Sequence, residues 1–378
     1  MTRTRLYTLL LMLCLTALLI HPNEATNSAR DALLLCFNVI IPSLFPFFVL
    51  SKMMIDTGAA ELLSRLLQGI MKPLFNVNGM GGTALAMGLI GGYPVGAQTA
   101  VSLYEKQLCT KKEAQRMLAF CNNAGPAFIF GFVGAGVFSS PHIGVVLYLT
   151  HITASVTIGV LFRWWGGRMD DNRLIPTKST EHASANPVQN FSSTFTNAVT
   201  SSFGTTLNIC AFVIFFTVGV RILVVFGILP LIGNIFTPLG LNDGTIHNLL
   251  SGLIEMTGGL RELHGNITVN VTLAAFMLGW AGLSVHAQVL SFLSKSDLGV
   301  KTYLYGKVLH AFIGAGYAWI ALHFFQPHIA ISTIAAEQAG FLANLQFYRT
   351  FILTMQIIAV AAIILFALHL TFRQSGRE

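Results

Sequence analysis

Gly91-Gly92-Tyr93-Pro94-Val95-Gly96 interrupts an apolar run spanning residues 80–108. Pro94 has no N–H and clashes with the preceding turn, so a helix must break or kink there. The glycines permit unwound backbone. Backbone groups freed inside a membrane must be met by protein, water or a ligand. The segment therefore reads as a broken helix lining a solute cavity; a plain proline kink at a tight helix crossing would use the same residues. Cys121-Asn122-Asn123-Ala124-Gly125-Pro126 heads the next apolar run, 119–138. Asn122 and Asn123 are adjacent amides that need partners at membrane depth, and Pro126 falls just inside an expected helix start. Such a start offers bare N–H groups to an anion; an ordinary cap at the membrane surface is the alternative.

Glu255-Met256-Thr257-Gly258-Gly259 puts a carboxylate inside the apolar stretch 247–260. An ionisable group within a span is costly and marks function by default. Glu255, with Thr257 beside it, would take a proton, bind a coupling cation or hydrogen-bond a solute. If the span ends at Ile254, Glu255 is instead interfacial and pairs with Arg261. The segment from Gly279 to Gln288 places Ser284, His286 and Gln288 in a Gly-flanked part of the run 269–294. A lone membrane histidine also serves as a hydrogen-bonded helix contact. The candidate substrate-binding residues are thus Gly91, Gly92, Tyr93, Pro94, Asn122, Asn123, Glu255, Thr257, Ser284, His286 and Gln288. None is expected to be catalytic or to ligate a metal, and no cofactor is expected.

The elements that must hold these segments are membrane helices. Of the 378 residues, 54% are hydrophobic and only 10% charged, against roughly 25% charged in soluble domains. The net charge of +7 is not a nucleic-acid footprint, because the basic residues form no continuous face. They sit in short segments: Arg3 and Arg5, then Arg163, Arg168, Arg173 and Lys178, then Arg373 and Arg377. By the positive-inside rule these mark the cytoplasmic side. The five cysteines form no CxxC, so neither a disulfide framework nor a zinc site is indicated. No Walker loop, dinucleotide fingerprint, GxSxG elbow or HExxH is present. No nucleophile–base pair presents itself, and an enzyme is not expected.

Along the chain, residues 7–20 form a short apolar run that reads as a first anchor or a cleavable signal. Residues 32–54 are long enough to cross the hydrocarbon core. Residues 59–75 alternate Glu61, Arg65, Gln68 and Lys72 with leucines and Ile70, as an interfacial amphipathic helix would. A further apolar stretch covers 142–163, then charge, Ser, Asn and Pro dominate to about Asn190. Apolar stretches resume at 196–218, 222–238, 247–260, 269–294, 304–325 and 347–371.

The halves resemble each other. Ile70, Pro73, Leu74 and Gly79 fall on Ile235, Pro238, Leu239 and Gly244 at an offset of 165 residues. Gly88-Leu89-Ile90 falls on Gly252-Leu253-Ile254 at an offset of 164, which also lays Glu255 on Gly91 and His286 on Asn122. Repeats of this kind build secondary transporters whose site lies at the midplane between discontinuous helices. Chance likeness between two apolar sequences is the competing account.

The stretches NVIIPSLFPF (38–47), MGLIGGYPVGA (87–97), AFCNNAGP (119–126), GLIEMTGG (252–259) and GLSVHAQ (282–288) resemble the sporulation integral membrane proteins of YlbJ type, within the nucleoside-recognition (Gate) family. The likeness runs from about residue 30 to 325. It implies a multi-spanning protein of endospore-forming bacteria with two Gate repeats, implicated in moving dipicolinic acid across a sporulation membrane. It supplies no agreed catalytic residues.

The expectation is an all-α, polytopic transmembrane bundle with two internal repeats and broken or re-entrant helices. Residues 1–30 would be the anchor, 31–163 and 191–330 the two repeats, 164–190 a polar cytoplasmic linker, and 331–378 a last span and basic tail. Its partners would be the lipid bilayer and a small solute, with a homo-oligomer or other sporulation membrane proteins beyond these. Located in the cell membrane with both termini cytoplasmic, it would be a transporter or channel for a small polar, anionic solute. A membrane scaffold or gating partner in sporulation and a nucleoside-type permease are the alternatives.

Overall fold

The computed structural model describes residues 3–56, 59–165, 191–236, 243–263 and 265–325. Most of the expected linker, the stretch 347–371 and the basic tail lie outside the described residues, as do Pro238 and Leu239 of the proposed repeat. Among the described residues the fold is all helical.

The first half begins with α1 (Arg3–Ile20), α2 (Pro22–Leu35) and α3 (Ile41–Asp56), with a π-helical turn, Cys36–Ile40, joining the last two. Helix α1 exposes Leu11, Leu13 and Leu19, the surface a bilayer would cover, and meets α2 at a bend of 93°. α4 (Ala59–Ile70) turns Leu67 and Ile70 inward and Arg65 and Gln68 outward. Next come α5 (Gly81–Gly91) and α6 (Val95–Glu105), then α7 (Lys111–Phe120), an irregular stretch, and a π-helical segment, Ala127–Val137. Helix α8 (Pro141–Leu161) closes the half.

The second half follows. It runs through α9 (Phe191–Val225), the short α10 (Ile228–Gly233), α11 (Asp243–Ile254) with α12 (Met256–Arg261), α13 (Ile267–Trp280) with α14 (Gly282–Leu293), and α15 (Val300–Phe325). Sequence separated 196–218 from 222–238, but α9 is one helix of 35 residues. At 1.5 Å per residue it is roughly 50 Å long, well beyond the ~30 Å hydrocarbon core. Arg221 does not interrupt it, because its guanidinium reaches Glu24 of α2 at 2.7 Å. Among the described residues three paths are long and apolar enough to cross a membrane: Pro141–Trp164, Phe191–Val225 and Ile267–Leu293.

Polar contacts fix which ends share a face. Arg116 donates to the carbonyls of Asn76 and Trp165, and the Asn78 amide reaches Leu108 O. Lys111 lies 2.8 Å from Asp297. The ends of α8 and α14, the start of α7 and both ends of the α5–α6 hairpin are therefore on one face. Because α13 and α14 together are of membrane length, Ile267 and the preceding α12 sit at the opposite face. Helix α11 starts there too: Asn248 donates to Glu262 O. The two hairpins come from opposite faces and meet at their tips, where the Tyr93 hydroxyl donates to Met256 Sδ at 3.1 Å.

Each hairpin crosses its arms on glycine. A Cβ on Gly88 or on Gly96 would overlap the carbonyl oxygen of Cys121, which lies between them. Small residues at such crossings let backbones approach where lipid gives no hydrophobic drive. In the second hairpin a Cβ on Gly259 would overlap the backbone of Gly252, whereas one on Gly252 would meet chiefly the flexible side chain of Met277. Gly88→Ala is therefore expected to destabilise by about 1–3 kcal/mol, as overpacking does, and Gly252→Ala by clearly less. Thermal unfolding of the two variants in one detergent checks this; equal melting temperatures would contradict the crossing described.

Candidate functional site

The first tip forms because Gly92 takes φ +73° and ψ −169°, a conformation open to glycine and strained for L side chains. Its carbonyl accepts from Val95 N and Gly96 N, and the Tyr93–Pro94 bond is cis. A side chain on Gly92 would strike the backbone of Gly125, so the tip lies against the irregular stretch 121–126. That stretch is held from several sides. Ala124 N donates to His151 Nε2 at 2.9 Å. Asn123 Nδ2 donates to Phe120 O. Lys307 Nζ donates to Asn122 O at 3.0 Å, and Lys307 sits 5.6 Å from the centre of the Tyr93 ring.

The second tip forms around Glu255. Its extended backbone (φ −133°, ψ 105°) separates α11 from α12, and its carboxylate caps α12. Thr257 N donates to Oε1 at 3.0 Å and Gly258 N to Oε2 at 2.6 Å. Glu255 is 2% exposed; α11 ends at Ile254 just before it, and Arg261 lines the same wide cavity. Trp280 Nε1 donates to Leu253 O at 2.9 Å, tying this tip to the break between α13 and α14. There Ala281 and Gly282 both have positive φ, 78° and 75°. His286 lies inside α14 rather than at the break. Its Nδ1 is 2.7 Å from the Tyr303 hydroxyl, which also meets the Asn122 amide at 3.5 Å.

One narrow cavity lies between the tips. Gly91, Gly92 and Tyr93 line it from the first hairpin, Glu255 and Thr257 from the second, and Ser284 and Gln288 from α14. Its volume of ≈ 50 Å³ holds a few waters at most. Pro94, Asn122, Asn123 and His286 are buried but do not line it. Asn122 and His286 meet instead at Tyr303, and three buried atoms there, Asn122 Oδ1, Asn123 Oδ1 and His286 Nε2, have no hydrogen-bond partner among the described residues. A second cavity of ≈ 440 Å³ opens between α2, α9 and the second hairpin. Its wall carries Glu24, Asp31, Arg221, His247, Arg261 and Glu262, and Glu255 lines both cavities. Among the described residues no three His, Cys, Asp or Glu side chains gather as metal ligands.

Lys307, Tyr303, His151 and His310 are absent from the sequence reading. Lys307 and His310 are 1% exposed within α15, and the rings of His151 and His310 stack at 4.2 Å. The signal was present: a lysine in an apolar run is a functional candidate for the same reason as Glu255.

The nucleoside-recognition (Gate) family model matches residues 37–164. The chain is 31% identical over 338 residues to the sporulation integral membrane protein YlbJ of Bacillus subtilis (strain 168), covering 83% of each chain. Its fold is similar to that of CNTnw in an inward-facing substrate-bound state, with TM-score 0.53 at 15% identity over 78% of this chain and 76% of that one. A CNTnw variant in an intermediate state gives TM-score 0.51 at 14% identity over 85% and 84% of the two chains.

Removing the Glu255 carboxylate frees two buried N–H groups at the second tip. Glu255→Ala should cost about 0.5–2 kcal/mol, the range for a lost cap. Glu255→Gln, which keeps one acceptor oxygen, should cost less. Thermal unfolding orders the three proteins, and an unchanged melting temperature for Glu255→Ala would show that the cap is not used.

Proposed function

This chain belongs to the family of the sporulation integral membrane protein YlbJ, and on that premise we propose that it carries a small polar, anionic solute across a bilayer during spore formation. It is an integral membrane protein with a Gate domain and a transporter-like fold. The observation that carries the proposal is the meeting of two hairpin tips, one from each face, around a single narrow cavity. Discontinuous helices meeting at the midplane are where secondary transporters hold their solutes. The sequence likeness between the halves is what motivates reading them as inverted repeats.

The solute would sit among the Gly92 and Tyr93 tip, Thr257, Ser284 and Gln288, reached from the wide cavity past Glu255. The narrow cavity is too small for an organic anion, so loading requires the second hairpin and its neighbours to part. CNTnw has been solved in inward-facing and outward-facing states, which supports motion of this kind in the fold. Dipicolinate, the solute implied by the family resemblance, is a flat ring bearing two carboxylates that the hydroxyls of Thr257 and Ser284 and the Gln288 amide would meet. The Gate match and the likeness to CNTnw favour a nucleoside-type permease as the second reading.

Uptake by proteoliposomes containing the full chain separates these readings. Labelled dipicolinate should accumulate, and excess uridine should not compete. Glu255→Gln should insert normally and lose most of the uptake. Competition by uridine would favour the permease, and uptake of neither solute would favour a scaffold.

The positive-inside rule places the N-terminus, the 164–190 linker and the C-terminus in the cytoplasm. The first hairpin would then start from the cytoplasmic face and the wide cavity would open to the other side. Single cysteines at Ser184 and Ser375 should resist impermeant maleimide in intact cells; labelling of either from outside would reverse the assignment.

A further inference from the structure

Lys307 places a buried amine at the Cys121–Pro126 break. Its Nζ donates to the backbone carbonyl of Asn122 at 3.0 Å and lies 5.6 Å from the centre of the Tyr93 ring. It is 1% exposed, and among the described residues no carboxylate lies within ion-pair distance of it. What surrounds it is a set of cation ligands of another kind. Asn122 O belongs to unwound backbone just past the end of α7, where the helix dipole favours positive charge. The Tyr93 face adds a cation–π contact. The neighbouring Asn122 Oδ1 is buried and has no hydrogen-bond partner among the described residues.

A hydroxyl or amide side chain would satisfy one carbonyl at far lower cost than lysine, whose charge is expensive to place in a span. The extra that lysine brings is a fixed charge at the junction of the first tip, the first break and α15. In transporters made of discontinuous helices, unwound carbonyls and half-helix C-terminal ends coordinate a coupling ion. We infer that the Lys307 ammonium is a tethered cation that takes the place of a free coupling ion at the Cys121–Pro126 break, so the site assembles without Na⁺. This concerns cation binding alone and stands or falls separately from the identity of the solute.

The test uses the purified full chain in detergent. Melting temperatures are measured in sodium chloride and in N-methylglucamine chloride at equal ionic strength. The wild type should melt at the same temperature in both. Lys307→Ala leaves a hole edged by Asn122 O and the Tyr93 ring; it should melt lower, and methylammonium should raise its melting temperature by a few degrees without affecting the wild type. Lys307→Met fills the space without charge and should melt lower with no response to methylammonium. Should Lys307→Ala fail to fold, the sodium comparison on the wild type and the Lys307→Met arm still decide. A saturable, sodium-specific stabilisation of the wild type would overturn the inference. So would a Lys307→Met protein as stable as the wild type.

Discussion

In hydrocarbon an unpaired backbone N–H or C=O costs several kcal/mol, and this chain breaks its helices at Gly92–Pro94, Cys121–Pro126, Glu255 and Ala281. Much of the architecture around the cavity serves to satisfy the groups those breaks release. Gly92 O takes the N–H groups of Val95 and Gly96. Ala124 N is taken by His151 and Asn122 O by Lys307. The Glu255 carboxylate takes the first N–H groups of α12, and Trp280 covers Leu253 O. A break met in this way is affordable in lipid only where protein surrounds it, which is why all four lie in the interior.

Satisfying the breaks also sets how closely the pieces pack. The Cys121 carbonyl lies between Gly88 and Gly96, and Gly92 lies against Gly125. Any side chain at those glycines would push the first tip away from the break, and the tip would lose its place beside Tyr303 and Lys307. Glycine is thus needed here for close approach as well as for the positive φ of Gly92. The narrow cavity follows from the same packing. The first tip packed on the Cys121–Pro126 break and the second on the Ala281 break leave room for a few waters between them, while the polar groups of α2, α9 and the second hairpin surround the wider space beyond Glu255.

Much of this was legible in the sequence, and the reason is range. The first tip is written in Gly92 and Pro94, whose effects act on their own backbone. The Glu255 cap reaches only two and three residues ahead. The membrane-embedded class follows from composition. The role of Lys307 is not legible, because its acceptor lies 185 positions away. Nor is the unity of α9, since Arg221 looks like the end of a span until Glu24, 197 positions earlier, is placed beside it. His286 was aligned with the Asn122 break, yet sits one turn into α14. Both nonetheless meet Tyr303, a contact the offset does not predict.

The same difference in range separates the two halves. The second tip is held largely from within: its cap, its carbonyl partner Trp280 and its glycine crossing all come from residues 252–280. The first break is held from without, by His151 of α8 and by Tyr303 and Lys307 of α15. Displacing α15 would strip the first break of a charge and a hydroxyl while leaving the contacts of the second tip intact. The second tip still depends on a neighbour, because the Trp280 that meets Leu253 O belongs to α13. The first break depends on more of them, and the amine of Lys307 that holds it also faces the Tyr93 ring of the first tip.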